Sequence, residues 1–285
     1  MEEKMDLLLK NGLVVTENEC KRVDIAVKNG KIAGLLERGS KTCCSEKEID
    51  CQGKVILPGA IDTHSHFFEP GEPSKYRDDF YTATMAAAAG GYTTCIEMPQ
   101  SIPPVVNKEA FLLKKKLATE KAVVDFALWG GLVPSSLDKI KELKEEGCVA
   151  FKAFTSDAGP DYEMCSDYDL LEGMKIVKAV GGLVGIHAEN DSICRKMTEY
   201  YRGMKTICPE YHEASRPWYA ELEAVSRCIL WSRITECPVM ICHLSIPEGA
   251  EQIKKEKEAG NKFIFAETCA HYLLFDTDTL KKYGA

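Results

Sequence analysis

From Pro58 onward the chain repeats one pattern: a short apolar run ending near a polar residue, then a charged, helix-like stretch. The apolar runs are IDTHSH, TTCIEMP, VDFALWGG, CVAFKAF, LVGIHAE, PVMICHLS and KFIFAETCAHYLLF. Between them lie segments such as DDFYTATMAAAAGG, SDYDLLEGMKIVKAVGG and PEGAEQIKKEKEAG, several of which stop at glycine, a common helix terminator. Strands apolar on both faces that alternate with helices form a parallel sheet covered by helices, an α/β architecture. Seven units fit a (β/α)8 TIM-type barrel better than an open sheet, because barrels gather their reacting groups at the C-terminal ends of the strands. Eight units take about 250 residues, more than Pro58–Ala285 supplies. The barrel is therefore expected to be incomplete, with about seven strands present and an eighth lying beyond residue 285.

The first 57 residues read differently. LLLKNGLVV, VDIAVKNGKIAGL and KEIDCQGKVIL are short β-type runs punctuated by Asn-Gly, Asn-Gly and Gln-Gly, which predicts hairpins in a small β domain. The expected division is 1–57 for that domain and 58–285 for the barrel.

Composition narrows the function classes. Hydrophobic residues make up 45% and charged residues 28% of the 285, ordinary globular usage that argues against disorder. The net charge is −8 with the basic residues scattered, which argues against a nucleic-acid surface. No apolar run approaches the roughly 18 residues of a membrane span, and MEEKMDLLLKNG lacks the apolar core of a secretory signal. Thirteen cysteines, an odd number at irregular spacing, read as reduced thiols in a cytoplasmic setting.

Four strand ends carry the chemistry. In a strand, residues two apart share a face, so His64 and His66 of Asp62-Thr63-His64-Ser65-His66 point together into the barrel mouth. Two imidazoles so placed suit a divalent metal of the zinc, iron or manganese type, although a bare His-x-His also suits a hydrogen-bonded surface pair. Lys152 lies within VAFKAF, where a lone buried ammonium is expensive. It either snorkels from the strand end or is a carbamate, a carboxylate able to bridge two metals. His187 in LVGIHAEN and His243 in VMICHLS each end an apolar strand. His271, later in ETCAHYLLF, reads as a structural or substrate-shell residue, and His212 in PEYHEASRP as part of a loop near the mouth.

The order His-x-His, Lys, His, His resembles the cyclic amidohydrolases of the amidohydrolase superfamily, a group of dihydroorotases, hydantoinases or dihydropyrimidinases, and allantoinases. GKVILPGAIDTHSH, AAAAGGYTT, FKAF, HAEN and CHLS carry the resemblance, which runs over essentially the whole chain. It implies a small β-sandwich domain preceding the barrel and two divalent metal ions, zinc foremost, with iron, manganese or cobalt as alternatives. His64 and His66 would hold one metal, His187 and His243 the other, and carboxylated Lys152 would bridge them.

Within that group DFALWGGLVPSSL, HEASRPWYAELEAV and ICHLSIPEGAEQI are most similar to allantoinases. Phe68 stands at the substrate-binding position where dihydroorotases place Arg and allantoinases tend to carry Asn, and FTSDAG lacks the Tyr usual in hydantoinases. The implied reaction is ring opening of a cyclic amide, most directly allantoin to allantoate in purine catabolism, with a hydantoinase, dihydropyrimidinase or dihydroorotase activity as alternatives. Two metals would activate a bridging water, and an aspartate on the eighth strand would carry the proton. Asp276 and Asp278, in a helix-like context, do not fill that role. A non-catalytic dihydropyrimidinase-related protein is the competing reading, against which all five ligand residues stand. The implied partners are a small cyclic ureide or amide and further copies of the chain, a dimer or tetramer, with no nucleic acid and no membrane. Residues 1–285 alone are expected to be inactive and poorly soluble.

Overall fold

The computed structural model describes residues 4–40, 44–67, 69–71, 78–204 and 208–283. The chain divides into two compact units, residues 1–60 and 61–285.

The first unit is a β-sheet of β1 (Met5–Lys10), β2 (Leu13–Val15), β3 (Cys20–Lys28), β4 (Lys31–Glu37), β5 (Ser45–Asp50) and β6 (Val55–Ile56). Its order is β5-β1-β3-β2-β6, with β4 also on β3. One of the three expected hairpin turns closes a hairpin. Asn29 and Gly30, both at positive φ, join antiparallel β3 and β4, as a primed turn requires. Asn11-Gly12 does not: β1 and β2 both pair with β3, so the dipeptide is a break along one edge. At Gly12 a Cβ would lie 2.5 Å from Ile56 Cδ1, so a side chain there would have to displace the Ile56 side chain. Gln52-Gly53 likewise lies between β5, which pairs parallel with β1, and β6, which pairs parallel with β2. The buried Asp24 carboxylate fixes the break by accepting the backbone N–H groups of Asn11 (2.8 Å) and Gly39 (3.2 Å).

The second unit alternates strands and helices. In chain order it runs β7 (Ala60–Ser65), α1 (Phe80–Ala89), β8 (Tyr92–Glu97), α2 (Lys108–Lys121), β9 (Asp125–Leu128), β10 (Gly130–Gly131), α3 (Ile140–Glu145), β11 (Phe151–Phe154) and α4 (Asp167–Ala179). There follow β12 (Val184–His187), α5 (Asp191–Arg202), α6 (Glu210–Ser215), α7 (Trp218–Thr235), β13 (Val239–Ile241), α8 (Pro247–Glu258), β14 (Ile264–Ala266), α9 (Ala270–Leu274) and α10 (Thr277–Tyr283). Two sheets result, β7-β8-β9 and β10-β11-β12-β13-β14. β9 passes into β10 through Trp129, so the seven expected strands are all present in one partial α/β barrel. Among the described residues no helix is long and apolar enough to cross a membrane.

Alternation along each strand sorts the side chains. Phe151, Ala153, Val184, Ile186, Val239 and Ile241 are buried in the main hydrophobic cluster. The helices contribute to that cluster at helical spacing, as with Leu170, Met174 and Val177 of α4 and Ala224 and Cys228 of α7. The alternate strand positions face a separate cluster in which Ile96, Met98, Ala150, Leu183 and Met240 pack around Trp129. The Trp129 indole is the reason for Gly185: a Cβ there would lie 2.8 Å from Cζ3. Strand ends above this plug place the polar residues. The last apolar run departs from expectation. Its strand stops at Ala266, and His271 lies on the short helix α9, exposed against Tyr272.

Candidate metal centre

The strand ends bring four imidazoles into one row. His66 and His64 rings are 5.1 Å apart, His64 and His243 5.5 Å, and His243 and His187 4.7 Å between centroids. At one end Nε2 of His64 faces Nε2 of His66 at 3.2 Å, and at the other Nδ1 of His187 faces Nε2 of His243 at 3.1 Å. Lys152 is 1% exposed on β11, and its Nζ has no hydrogen-bond partner among the described residues. It lies 5.0 Å from the Phe154 ring centroid, and its charge acts on His66, His187, His243 and Glu267. All five predicted ligand residues thus converge on one place.

The electrostatics keep His66, His187 and His243 neutral at neutral pH. Burial, followed by the Lys152 charge, pushes His243 down to about 2. Burial also lowers His187, against the pull of Glu189. Enclosure of its ring and the neighbouring His64 lower His66 as well, although His66 keeps a solvent-facing edge. A neutral imidazole offers one lone pair to a metal. His243 also holds a left-handed backbone, φ 39°, which a side-chain-bearing residue adopts at a cost of order 1–3 kcal/mol. The strain sits at the site.

The strand carrying His64 and His66 is held from several sides. Thr63 presents its carbonyl to the Trp129 indole N–H (3.1 Å), and the His64 N–H donates to Asp62 (3.0 Å). Glu267, just past β14, takes the His64 Nδ1 side with one oxygen and accepts the Thr63 hydroxyl with the other (3.2 Å). Burial would raise the Glu267 carboxyl, but its bond to His64 brings it below the usual range. Glu189, two residues past His187, bonds to His187 Nε2 at 2.5 Å and to the Arg216 guanidinium. Burial opposes ionisation of Glu189 too, yet His187 and Arg216 lower it to about 2.

Glu267 and Glu189 were not singled out by sequence reasoning, although Glu267 obeys the same signal as the others, a polar residue ending an apolar strand. Cys242 is a third such residue. Its thiol, His64 and Glu267 bring donor atoms within 4.8 Å of one another, but burial pushes the thiol up to about 11, so it stays protonated at neutral pH. A cavity of about 420 Å³ opens beside Glu267, lined also by Leu244, Ser245, Tyr272 and Leu273. That volume suits a small molecule. His212 is exposed on α6 rather than in a loop. Asp276 caps α10 through Thr279, and Asp278 pairs with Lys281 on the same helix. Phe68 lies outside the described residues.

Do these residues fit metal ions? Two nitrogens bound about 2.0–2.1 Å from one tetrahedral zinc lie roughly 3.3 Å apart. The two facing pairs, at 3.2 and 3.1 Å, are close to that separation. A buried amine without a partner is costly, and a group bound beside Lys152 would remove the cost. The residues fit.

The comparisons with known proteins agree with this geometry. The model of the amidohydrolase family matches residues 55–268. Allantoinase of Escherichia coli (strain K12) is 36% identical over 285 residues, 98% of this chain and 62% of the relative. Among solved structures, L-hydantoinase (dihydropyrimidinase) from Arthrobacter aurescens superposes with a TM-score of 0.92 at 32% identity, covering 98% of this chain and 62% of that one. Dihydropyrimidinase from Brevibacillus agri NCHU1002 gives 0.88 at 27% identity, covering 98% and 60%. The chain therefore spans less than two thirds of the length of these relatives. Its match over residues 55–268, joined to a barrel whose strand ends gather four histidines and a buried lysine, establishes that the chain belongs to the amidohydrolase family.

Proposed function

We propose that the chain carries the metal centre of a cyclic amidohydrolase, a hydrolase that opens a cyclic amide at its C–N bond. The observation that carries this reading is the unpartnered Lys152 amine beside the row His66-His64-His243-His187. In the proposed arrangement His64 and His66 hold one divalent ion, His187 and His243 hold a second, and carboxylated Lys152 joins them. Zinc suits the imidazole donors best, with iron, manganese and cobalt as alternatives. Bound there, the metals would supply Lewis-acid polarisation of the amide carbonyl and an activated water.

The chain's own residues contribute orientation and exclusion of water. Trp129 plugs the barrel beneath the site and ties down the Thr63 carbonyl. Glu267 and Glu189 each hold one histidine ring by the nitrogen turned away from its facing partner. Hydrogen bonds of that kind fix the tautomer and raise ligand basicity. The cavity beside Glu267 is where a small cyclic ureide or amide would sit.

The proposed substrate is allantoin, opened to allantoate in purine breakdown. Its support is the likeness to allantoinases through Trp129-Gly130-Gly131 and the 36% identity over the chain. Trp129 supports it through that likeness and not through contact, since its ring packs inside the barrel. A hydantoin is the second reading, favoured by the 0.92 superposition on a hydantoinase. The free thiols of buried Cys95, Cys148, Cys228 and Cys237 support a reducing, cytoplasmic setting. Assembly into a homo-oligomer belongs to the same proposal. Comparing kcat/KM for allantoin, hydantoin and dihydroorotate, in a form extended to the length of the relatives, tests the substrate. A tenfold preference for hydantoin, about 1.4 kcal/mol in transition-state binding, would replace allantoin with the second reading.

A further inference from the structure

His243 keeps a left-handed backbone although it carries a side chain, two residues past the end of β13. A conformation of this kind persists only where the surroundings over-determine it. Hydrogen bonds on either side of the turn do so. Before it, the Cys242 N–H donates to the Ile186 carbonyl of β12 at 3.0 Å. After it, the Leu244 N–H donates to the Glu267 carbonyl at 2.7 Å, and the Leu244 carbonyl accepts the Thr268 hydroxyl at 2.8 Å. These bonds tie the turn to β12 and to the end of β14.

One further hold comes from outside the sheet. Glu221, in the first turn of α7, accepts the Ser245 N–H on Oε1 at 2.9 Å and the Ser245 hydroxyl on Oε2. Both oxygens of one carboxylate thus grip one residue, two positions past His243. The base of the grip is firm. Ala220 and Ala224 of α7 are fully buried, and the Ala220 carbonyl accepts the Asn190 N–H at 3.0 Å. Ser245 itself is exposed, so packing does not immobilise it. The carboxylate does.

We propose that Glu221 is a positioning residue for His243: its two-point hold on Ser245 keeps the turn in the left-handed conformation that sets the His243 ring 4.7 Å from that of His187. The inference rests on the proposed metal centre for its effect on affinity, but the backbone conformation belongs to the metal-free chain. Two plainer roles make different predictions. A bond that merely joins α7 to the start of α8 would serve the whole barrel and neither histidine pair in particular. A carboxylate acting by charge alone would lose its effect once neutralised. A glutamine, by contrast, accepts the N–H through its carbonyl oxygen and donates to the hydroxyl through its amide, so it preserves a two-point hold.

The test reads zinc affinity at each pair separately, in His66→Ala for His187–His243 and in His187→Ala for His64–His66. Beside it, the His243 Cα chemical shift is read in the metal-free chain. Glu221→Ala should weaken zinc at the His187–His243 pair by roughly 10–100-fold, as loss of an outer partner of a metal site does. It should leave the His64–His66 pair unchanged and move the His243 shift out of the left-handed range. Glu221→Gln should match wild type in both readouts. Ser245→Ala, which removes one of the two bonds at an exposed position, should weaken zinc at the same pair by a smaller factor, and it carries the comparison if Glu221→Ala does not fold. A Glu221→Ala protein that keeps its zinc, or loses affinity equally at both pairs, would overturn the proposal, as would Glu221→Gln falling as far as Glu221→Ala. A chain that binds no zinc would contradict the proposed function, and the His243 shift in wild type and Glu221→Ala would then decide the hold by itself.

Discussion

The Glu97 carboxylate accepts the backbone N–H of Phe67 through both oxygens at 3.0 Å, one residue past His66. Glu97 and Lys114 are each fully buried, and the Lys114 amine donates to Glu97 (3.0 Å) and to the Met98 carbonyl (2.6 Å). A buried ion pair thus pins the backbone that follows one proposed ligand. Lys114→Met should lower stability by about 3–5 kcal/mol, because it removes one partner of a buried ion pair. Glu97→Gln combined with Lys114→Met should recover part of the loss. Urea denaturation reads both, and a Lys114→Met protein within 1 kcal/mol of wild type would refute the assignment.

Gly185→Ala should destabilise the barrel by about 1–3 kcal/mol through overpacking. The new Cβ would lie 2.8 and 2.9 Å from two atoms of the Trp129 ring and 3.1 Å from Cys242 Sγ. Trp129→Phe frees part of that space, so the same substitution in that background should cost less. Equal costs in the two backgrounds, measured by thermal or chemical unfolding, would show that the Trp129 ring is not what excludes a side chain at position 185.

Lys152→Met should leave the metal-free chain as stable as wild type or more so. It replaces a buried amine lacking a partner with an apolar chain of similar length. Relief of an unsatisfied buried polar group is worth about 1–3 kcal/mol. Marked destabilisation in metal-free buffer would mean that the amine has a structural partner.

His271→Ala should leave both stability and metal content unchanged, with stability within about 0.5 kcal/mol of wild type, because the side chain is exposed on α9. Loss of metal on this substitution would place His271 in the centre after all.

The strands of the barrel and the five proposed ligands were legible because burial on both faces writes continuous apolar runs, and because histidines ending such runs are rare. The carboxylates were not. Glu189, Glu267 and Glu97 are three among 44 acidic residues, and long-range partners define them: Glu267 meets His64 from 203 positions away. Of the two Asn-Gly pairs, one misled for a related reason. Asn11-Gly12 has the local turn chemistry of a hairpin, but the pairing of β1 and β2 with the same edge of β3 decides its role. The run HYLLF is ambiguous in the sequence because a short apolar run does not distinguish a strand from a helical turn. In the structure the helix begins at Ala270.

The metal content of the chain, measured after titration with zinc with and without bicarbonate and beside Lys152→Ala, tests the proposed centre directly. Two tightly bound ions per wild-type chain are expected, their binding strengthened by bicarbonate. Lys152→Ala should bind fewer until a short carboxylic acid is added to stand in for the carbamate. Two tightly bound ions in Lys152→Ala without that acid would contradict the bridging role, and a wild-type chain that takes up no metal would contradict the centre as a whole.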